Sequence, residues 1–130
     1  MSVIFTNGCF DILHRGHLDL LKFCKNIGDT VIVGLNSDQS VRFLKGDKRP
    51  INTQEDRKYM LESLLFVDEV HIFNDKTPYN LIKRLSPDII VKGGDYKIEE
   101  VVGNDLCKVR LFSYVKGYST TEKIKSIVDR

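Results

Sequence analysis

Val3-Ile4-Phe5-Thr6-Asn7-Gly8-Cys9-Phe10-Asp11-Ile12-Leu13-His14-Arg15-Gly16-His17 begins as an apolar strand and ends on a glycine set between two histidines. A strand over residues 3–6 predicts a turn from Gly8 onward and a helix behind it, whose apolar face is Leu18, Leu20, Leu21, Phe23 and Cys24. Two of the three histidines in the chain sit in this one turn. A helix start offers unpaired backbone N–H groups and the positive end of the helix dipole. A phosphate is the natural guest there. Imidazoles beside it donate hydrogen bonds to phosphate oxygens and change protonation near neutral pH. The turn therefore reads as a site for phosphoryl or nucleotidyl chemistry. It contains neither GxGxxG nor GxxxxGK[ST], which excludes the usual dinucleotide and P-loop readings.

Outward from this turn, strand and helix patterns alternate to the end of the chain. Gly28 is placed to end the first helix. Residues 30–35 form a continuous Val/Ile-rich run, the pattern of a buried parallel strand. Ser37-Asp38 reads as a helix start, with Asp38 as a candidate cap. Residues 45–52 are polar and irregular. Thr53-Gln54-Glu55-Asp56 resembles a capping box with Asp in the last place and predicts a helix through Leu65. Glu69–Phe73 is a third strand, with His71 inside it in a structural role. Thr77-Pro78 places a cap and an N1 proline before a helix to Leu85. Residues 88–92 form a fourth strand closed by Gly93-Gly94, 99–107 a helix, and 109–112 a fifth strand. Ser119-Thr120-Thr121-Glu122 opens a last amphipathic helix with Ile124 and Ile127 turned inward.

Such alternation implies a Rossmann-like, doubly wound α/β fold. Five parallel strands in the order 3-2-1-4-5 carry helices on both faces. Ligands bind such sheets at the carboxyl ends of the strands, where the strand order reverses. The unusual residues cluster at those ends: the histidine turn, Asp38, Lys92 to Tyr96, and Gly117 to Thr121. A length of 130 residues predicts a single domain, 1–130. A net charge of +2 is too small to argue for a nucleic-acid or membrane surface. No apolar stretch approaches a membrane span and no signal segment precedes the first strand. Three cysteines without a CxxC pair fit a reduced, cytoplasmic chain rather than a disulfide framework or zinc site.

The segments Gly8 to His17 (GCFDILHRGH), Leu44 to Pro50 (LKGDKRP), Val91 to Lys97 (VKGGDYK) and Gly117 to Ile124 (GYSTTEKI) occur in this order. Together they resemble the cytidylyltransferase-like nucleotidyltransferases, whose mark is HxGH at the first strand–helix turn. The resemblance covers nearly the whole chain and is strongest to the heptose-1-phosphate adenylyltransferase branch. That activity is also found as the second domain of the bifunctional ADP-heptose synthesis enzyme. The resemblance implies that a sugar phosphate attacks the α-phosphorus of a nucleoside triphosphate and pyrophosphate leaves. The protein then mainly positions two polyanions and stabilises the charge that develops, and no side chain acts as a covalent nucleophile.

In that reading His14 and His17 bond the oxygens around the reacting phosphorus, and Lys45 joins them from a basic loop that closes over the triphosphate. Gly8, Cys9, Phe10, Asp11 and Gly16 surround the nucleotide phosphates, with Asp11 ordering the turn. Lys92, Gly94 and Asp95 approach the nucleotide from the fourth strand. Asp95 reads either as a ribose or metal-shell contact or as the cap of a plain Gly-Gly turn, and Tyr96 lies against base or sugar. Tyr118, Ser119, Thr120 and Thr121 hold the triphosphate at the last helix start. Lys48, Arg49 and Arg57 take the acceptor phosphate.

The implied cofactor is Mg²⁺, held mainly by the triphosphate and water, with no protein metal site. The implied partners are ATP or CTP, a small sugar or polyol phosphate, and a second copy in a homodimer. Cys9, Gly94-Asp95-Tyr96 and Tyr114 depart from the glycerol-3-phosphate cytidylyltransferase branch and favour ATP. The short segment 103–108 and Lys116 depart from the heptose branch and bear on the acceptor. A CTP-dependent glycerol-3-phosphate enzyme is the alternative within the class. A non-catalytic nucleotide-binding module is the alternative outside it, and the pair of intact histidines argues against that module.

Overall fold

The computed structural model describes residues 2–113 together with Ile124, Lys125, Ile127 and Val128. Five parallel strands form one sheet: β1 (Val3–Gly8), β2 (Thr30–Asn36), β3 (Glu69–Phe73), β4 (Ile89–Gly93) and β5 (Lys108–Phe112). Their order is β3-β2-β1-β4-β5, as the sequence predicts. β1 lies at the centre, pairing Phe5 with Ile32 of β2 on one side and with Ile90 of β4 on the other. The reversal of strand order falls beside β1, and the crevice that it opens lies at the carboxyl end of this strand.

Alternation of side chains along the strands builds a core on each face. On one face Ile4, Val31, Val33, Leu35 and Val91 meet Leu20, Leu21 and Cys24 of α1 (Arg15–Ile27) and Leu61 of α3 (Gln54–Glu62). On the other face Phe5, Ile32 and Ile90 meet Leu81 and Ile82 of α4 (Tyr79–Leu85). Each large apolar side chain taken wholly out of water contributes about 1.5–3 kcal/mol. α2 (Asp38–Lys45) is capped by Ser37, whose hydroxyl accepts from the N–H of Ser40 at 3.1 Å.

Several local expectations are corrected. Gly28 does end α1, but with an extended backbone rather than a left-handed one. What requires glycine there is space, because a Cβ would lie 2.3 Å from Cγ1 of buried Ile4. α3 stops at Glu62 instead of Leu65, and Leu65 is 87% exposed. Pro78 is the N-cap of α4 rather than its first helical residue. In place of a helix over 99–107 there is one 3₁₀ turn, Ile98–Glu100, followed by turns. Asn104 explains this: its side-chain amide donates to the carbonyls of Val101 and Glu99 and competes with helix formation. Gly103, at φ +94°, takes the chain out of the helical region. Ile124, Lys125, Ile127 and Val128 are helical; Ile124 is half-buried, whereas Ile127 is 67% exposed rather than turned inward.

Candidate active site

His14 is the N-cap of α1, at the carboxyl end of the central strand. Its Nδ1 accepts from the N–H of Gly16 at 3.1 Å. His17 reaches back, and its Nδ1 accepts from the N–H of His14 at 3.3 Å. The two imidazoles thus form a reciprocal capping box and stack with centroids 3.9 Å apart. Because each Nδ1 is an acceptor, the proton of each neutral ring is on Nε2. Burial, and then the charge of His14, push the pKa of His17 down to about 3. Phe10 enters the turn at φ +46° and stacks obliquely on His17, with ring centroids 5.1 Å apart. The sequence reads this segment as a helix start with two phosphate-facing imidazoles, and the folded chain puts both rings in one place with one tautomer.

Asp11 is fully buried beneath this turn. Its carboxylate accepts from the backbone N–H of Ile51 and of Asn52 at 2.9 Å, and from Nε of Arg49 at 2.9 Å. Burial raises its pKa, but those donors outweigh burial and hold the carboxyl below the usual carboxylate range. Asp11 therefore orders the turn, as expected, and also ties the loop that follows α2 to it. Both carboxylate oxygens are engaged by the protein, so it offers nothing direct to a nucleotide. Arg49 has a buried Nη2 with no protein partner among the described residues. Lys45 and Lys48 are exposed in the same basic segment.

Arg57 corrects a sequence expectation. It is completely buried, not presented to a phosphate. Its guanidinium donates to the carbonyls of Cys9 at 2.7 Å, Asn36 at 2.8 Å and Asn52 at 3.0 Å, and to the Asp38 carboxylate at 2.8 Å. It clamps together the ends of β1 and β2 and the start of α3. Asp38 correspondingly serves as its counter-ion in the first turn of α2, while Ser37 is the cap. Burial pushes the Cys9 thiol up, against the nearby charges of Lys45, Arg57 and Arg49. A thiol held protonated is a poor nucleophile.

A cleft of about 250 Å³ opens at the same edge of the sheet, lined by Asn7, Asn36, Lys76, Lys92, Tyr96 and Glu100 among others. Burial pushes the Lys92 ammonium down, and its Nζ stands 4.9 Å from the centre of the Tyr96 ring. Gly94, at φ +110°, makes the turn that brings Tyr96 back over this lysine, and its N–H donates to the Phe112 carbonyl. Asp95 is exposed on that turn.

The model of the cytidylyltransferase-like family matches residues 5–127, nearly the whole chain. The chain belongs to the cytidylyltransferase-like family. Within the family it is 60% identical over 129 residues to the bifunctional protein HldE of a Nitratiruptor species and 57% identical to that of Campylobacter concisus. It is 52% identical over 127 residues to that of Helicobacter pylori. These matches cover 97–98% of this chain and 27% of each relative, so the chain spans about a quarter of the length of these relatives. A solved structure of a lipopolysaccharide core biosynthesis protein from Thermoplasma volcanium superposes with a TM-score of 0.74 at 27% identity. That superposition covers 92% of this chain and 99% of the other.

For this cytidylyltransferase-like chain, the described residues bring together His14, His17, Gly16, Cys9, Phe10 and Asp11 at one turn, with Arg49 tied to it. The residues expected at the last helix start, Tyr118, Ser119, Thr120 and Thr121, lie outside the described residues. Sequence reasoning missed Asn7, Asn36, Lys76 and Glu100. The first three were within reach of the rule already applied, because Asn7 and Asn36 lie at the carboxyl ends of β1 and β2 and Lys76 follows β3. His71 is half-buried and pairs with Glu69 at 3.0 Å, away from this turn.

Proposed function

We propose that this chain, as one domain over 1–130, transfers the adenylyl group of ATP to a heptose 1-phosphate and releases pyrophosphate. The observation that carries the reading is the stacked His14–His17 pair at the start of α1, with both Nε2–H groups set as donors at the topological switch point. Charge builds on the oxygens of the α-phosphorus as the acceptor phosphate attacks. Donors fixed in advance stabilise that charge without reorganising. The low pKa of His17 keeps one ring of the stack neutral until the polyanion arrives, which limits repulsion between the two. Arg49, with its buried unmatched Nη2, is the donor for an incoming phosphate oxygen, and Lys45 at the end of α2 and Lys48 in the loop behind it add positive charge. Gly8, Cys9, Phe10, Gly16, Lys92, Gly94, Asp95 and Tyr118 to Thr121 are proposed nucleotide contacts.

Among the described residues no group of three or more His, Cys, Asp or Glu could hold a metal ion. Independently of that, Mg²⁺ is proposed from the triphosphate chemistry to enter on the nucleotide, where it neutralises phosphate charge. The choice of ATP and heptose rests on the HldE relatives and on the four motifs. Cytoplasmic location and a homodimer are proposed from the same resemblance. No described helix is long and apolar enough to cross a membrane.

The test is pyrophosphate release with Mg²⁺, crossing ATP and CTP against heptose 1-phosphate and glycerol 3-phosphate. Release with ATP and heptose 1-phosphate is expected. His14→Ala and His17→Ala are each expected to lower kcat by a factor of about 10²–10³, the range for losing one charge-stabilising donor. Turnover with CTP and glycerol 3-phosphate instead would move the chain to the other branch. Nucleotide binding without release for any pair would establish the binding-module alternative.

A further inference from the structure

Two lysines line the cleft at the carboxyl edge of the sheet, and each is seated on an aromatic ring. The Nζ of Lys92 is 4.9 Å from the Tyr96 ring centre, and that of Lys76 is 4.5 Å from the Phe43 ring centre. Neither ammonium forms an ion pair among the described residues. A ring face steadies an ammonium without consuming its N–H donors as a carboxylate would. Both groups are therefore positioned and available to oxygen acceptors.

The topology separates them. Lys92 lies near the end of β4, next to β1 and the histidine turn, while Lys76 follows β3 at the far edge. With neighbouring strands about 4.8 Å apart, β3 and β4 are separated by about 14 Å. Asn7 of β1 and Asn36 of β2 lie between. The Asn36 amide nitrogen donates to Ser40 Oγ at 3.0 Å, which leaves its side-chain oxygen as an acceptor. Glu100 adds a carboxylate to the lining, with Oε1 accepting from the N–H of Lys97 at 2.9 Å. The cleft thus has a cation at each end and hydrogen-bonding groups of both kinds between. A volume of about 250 Å³ lies just under the range of about 300–1,000 Å³ for drug-sized ligands, which suits one monosaccharide.

We propose that Lys76 reads the length of the acceptor: with the acceptor phosphate held at the histidine turn, at the end of the cleft where Lys92 contacts the nucleotide, Lys76 takes the distal hydroxyls of a seven-carbon sugar. This rests on the transferase reading above and adds to it a specificity-determining residue. A three-carbon phosphate stays at the histidine-turn end of the cleft and leaves Lys76 untouched.

The experiment uses the full chain and titrates heptose 1-phosphate, inorganic phosphate and ATP separately into wild type, Lys76→Met and Phe43→Ala, read by chemical shifts or calorimetry. Lys76 is exposed, so its replacement leaves the core intact. In Lys76→Met the Kd for heptose 1-phosphate is expected to rise roughly tenfold, equivalent to about 1.4 kcal/mol. The values for ATP and inorganic phosphate are expected to stay within about twofold, well under that tenfold step. Phe43→Ala moves the heptose value in the same direction by less. An unchanged heptose value overturns the proposal, as does equal weakening of heptose 1-phosphate and inorganic phosphate, which would make Lys76 a general phosphate cation. A wild type that neither binds heptose 1-phosphate nor turns it over overturns the transferase reading as well. A wild type that does both, with Lys76→Met unaffected, overturns the length-reading role alone.

Discussion

His17 and Arg57 are both polar residues withdrawn from water, and they behave oppositely. His17 is held neutral, with a pKa of about 3 against an ordinary 6.5. The unfolded ring gains a proton as pH falls through about 6.5, the ordinary histidine value, while the folded ring does not until about 3. The native state binds fewer protons across this window, so this ring's contribution to stability is full above 6.5, declines as pH falls, and levels off below 3. Urea midpoints measured from pH 7 to pH 4 should show the decline, and His17→Gln, which cannot titrate, should flatten it. Equal slopes in the two proteins would mean that the ring is not neutral. Asp11 does not confound this test, because the stability its lowered carboxyl loses as pH falls toward 3.8 is common to both proteins and cancels between the two slopes. Arg57 stays charged and is matched bond for bond by Cys9, Asn36, Asn52 and Asp38. Arg57→Lys keeps the charge but not the fork. It should cost about 3 kcal/mol, as breaking a buried pair does. At 130 residues this lowers Tm by about 10 °C. KM for ATP should hardly move, whereas a phosphate-binding arginine would give the reverse pattern in the same two measurements.

The loop between α2 and α3 depends on one side chain outside it. Asp11 gathers the N–H groups of Ile51 and Asn52 and the Nε of Arg49, so it fixes the basic segment relative to the histidine turn. Asp11→Asn is expected to lower stability by about 3 kcal/mol. It should also speed tryptic cleavage at Lys48; unchanged cleavage and Tm would show that the loop holds itself. This tie also shows what a sequence conveys. The strands were legible because runs such as Thr30–Asn36 and Glu69–Phe73 carry their burial in their composition, and the site's place followed from the switch-point rule. The His14–His17 turn was legible because helix-start chemistry is local. Arg57 was not, since an arginine in a helix reads the same whether it faces water or the carbonyls of Cys9 and Asn36, far away in the chain. The failed helix over 99–107 has a similar cause, because the side-chain bonds of Asn104 and the φ of Gly103 decide it and apolar spacing does not show them. Lys76 looked like any loop lysine until the fold brought it to the cleft that contains Lys92.

The largest consequence concerns the 27% of each HldE relative that this chain spans. The sharing of strands among the clusters of the described core predicts that this part folds by itself. α1 packs in two of the three apolar clusters, the central strand β1 supplies Ile4 to one face and Phe5 to the other, and β2 contributes Val31, Ile32 and Val33 to all three clusters. No cluster can be lost while the others stay, because every cluster draws on β2. The buried clamp of Arg57 adds a polar tie between β1, β2 and α3 that fails with them. Such sharing predicts one cooperative transition for the 130-residue chain expressed alone. The chain has no tryptophan and five tyrosines, so tyrosine fluorescence and far-ultraviolet circular dichroism are the two independent probes. Their denaturation curves should coincide, with a calorimetric enthalpy of about 90 kcal/mol near 60 °C for this length. Two separated transitions, or an enthalpy well below that value, would show that part of the sheet needs a neighbour to complete its core.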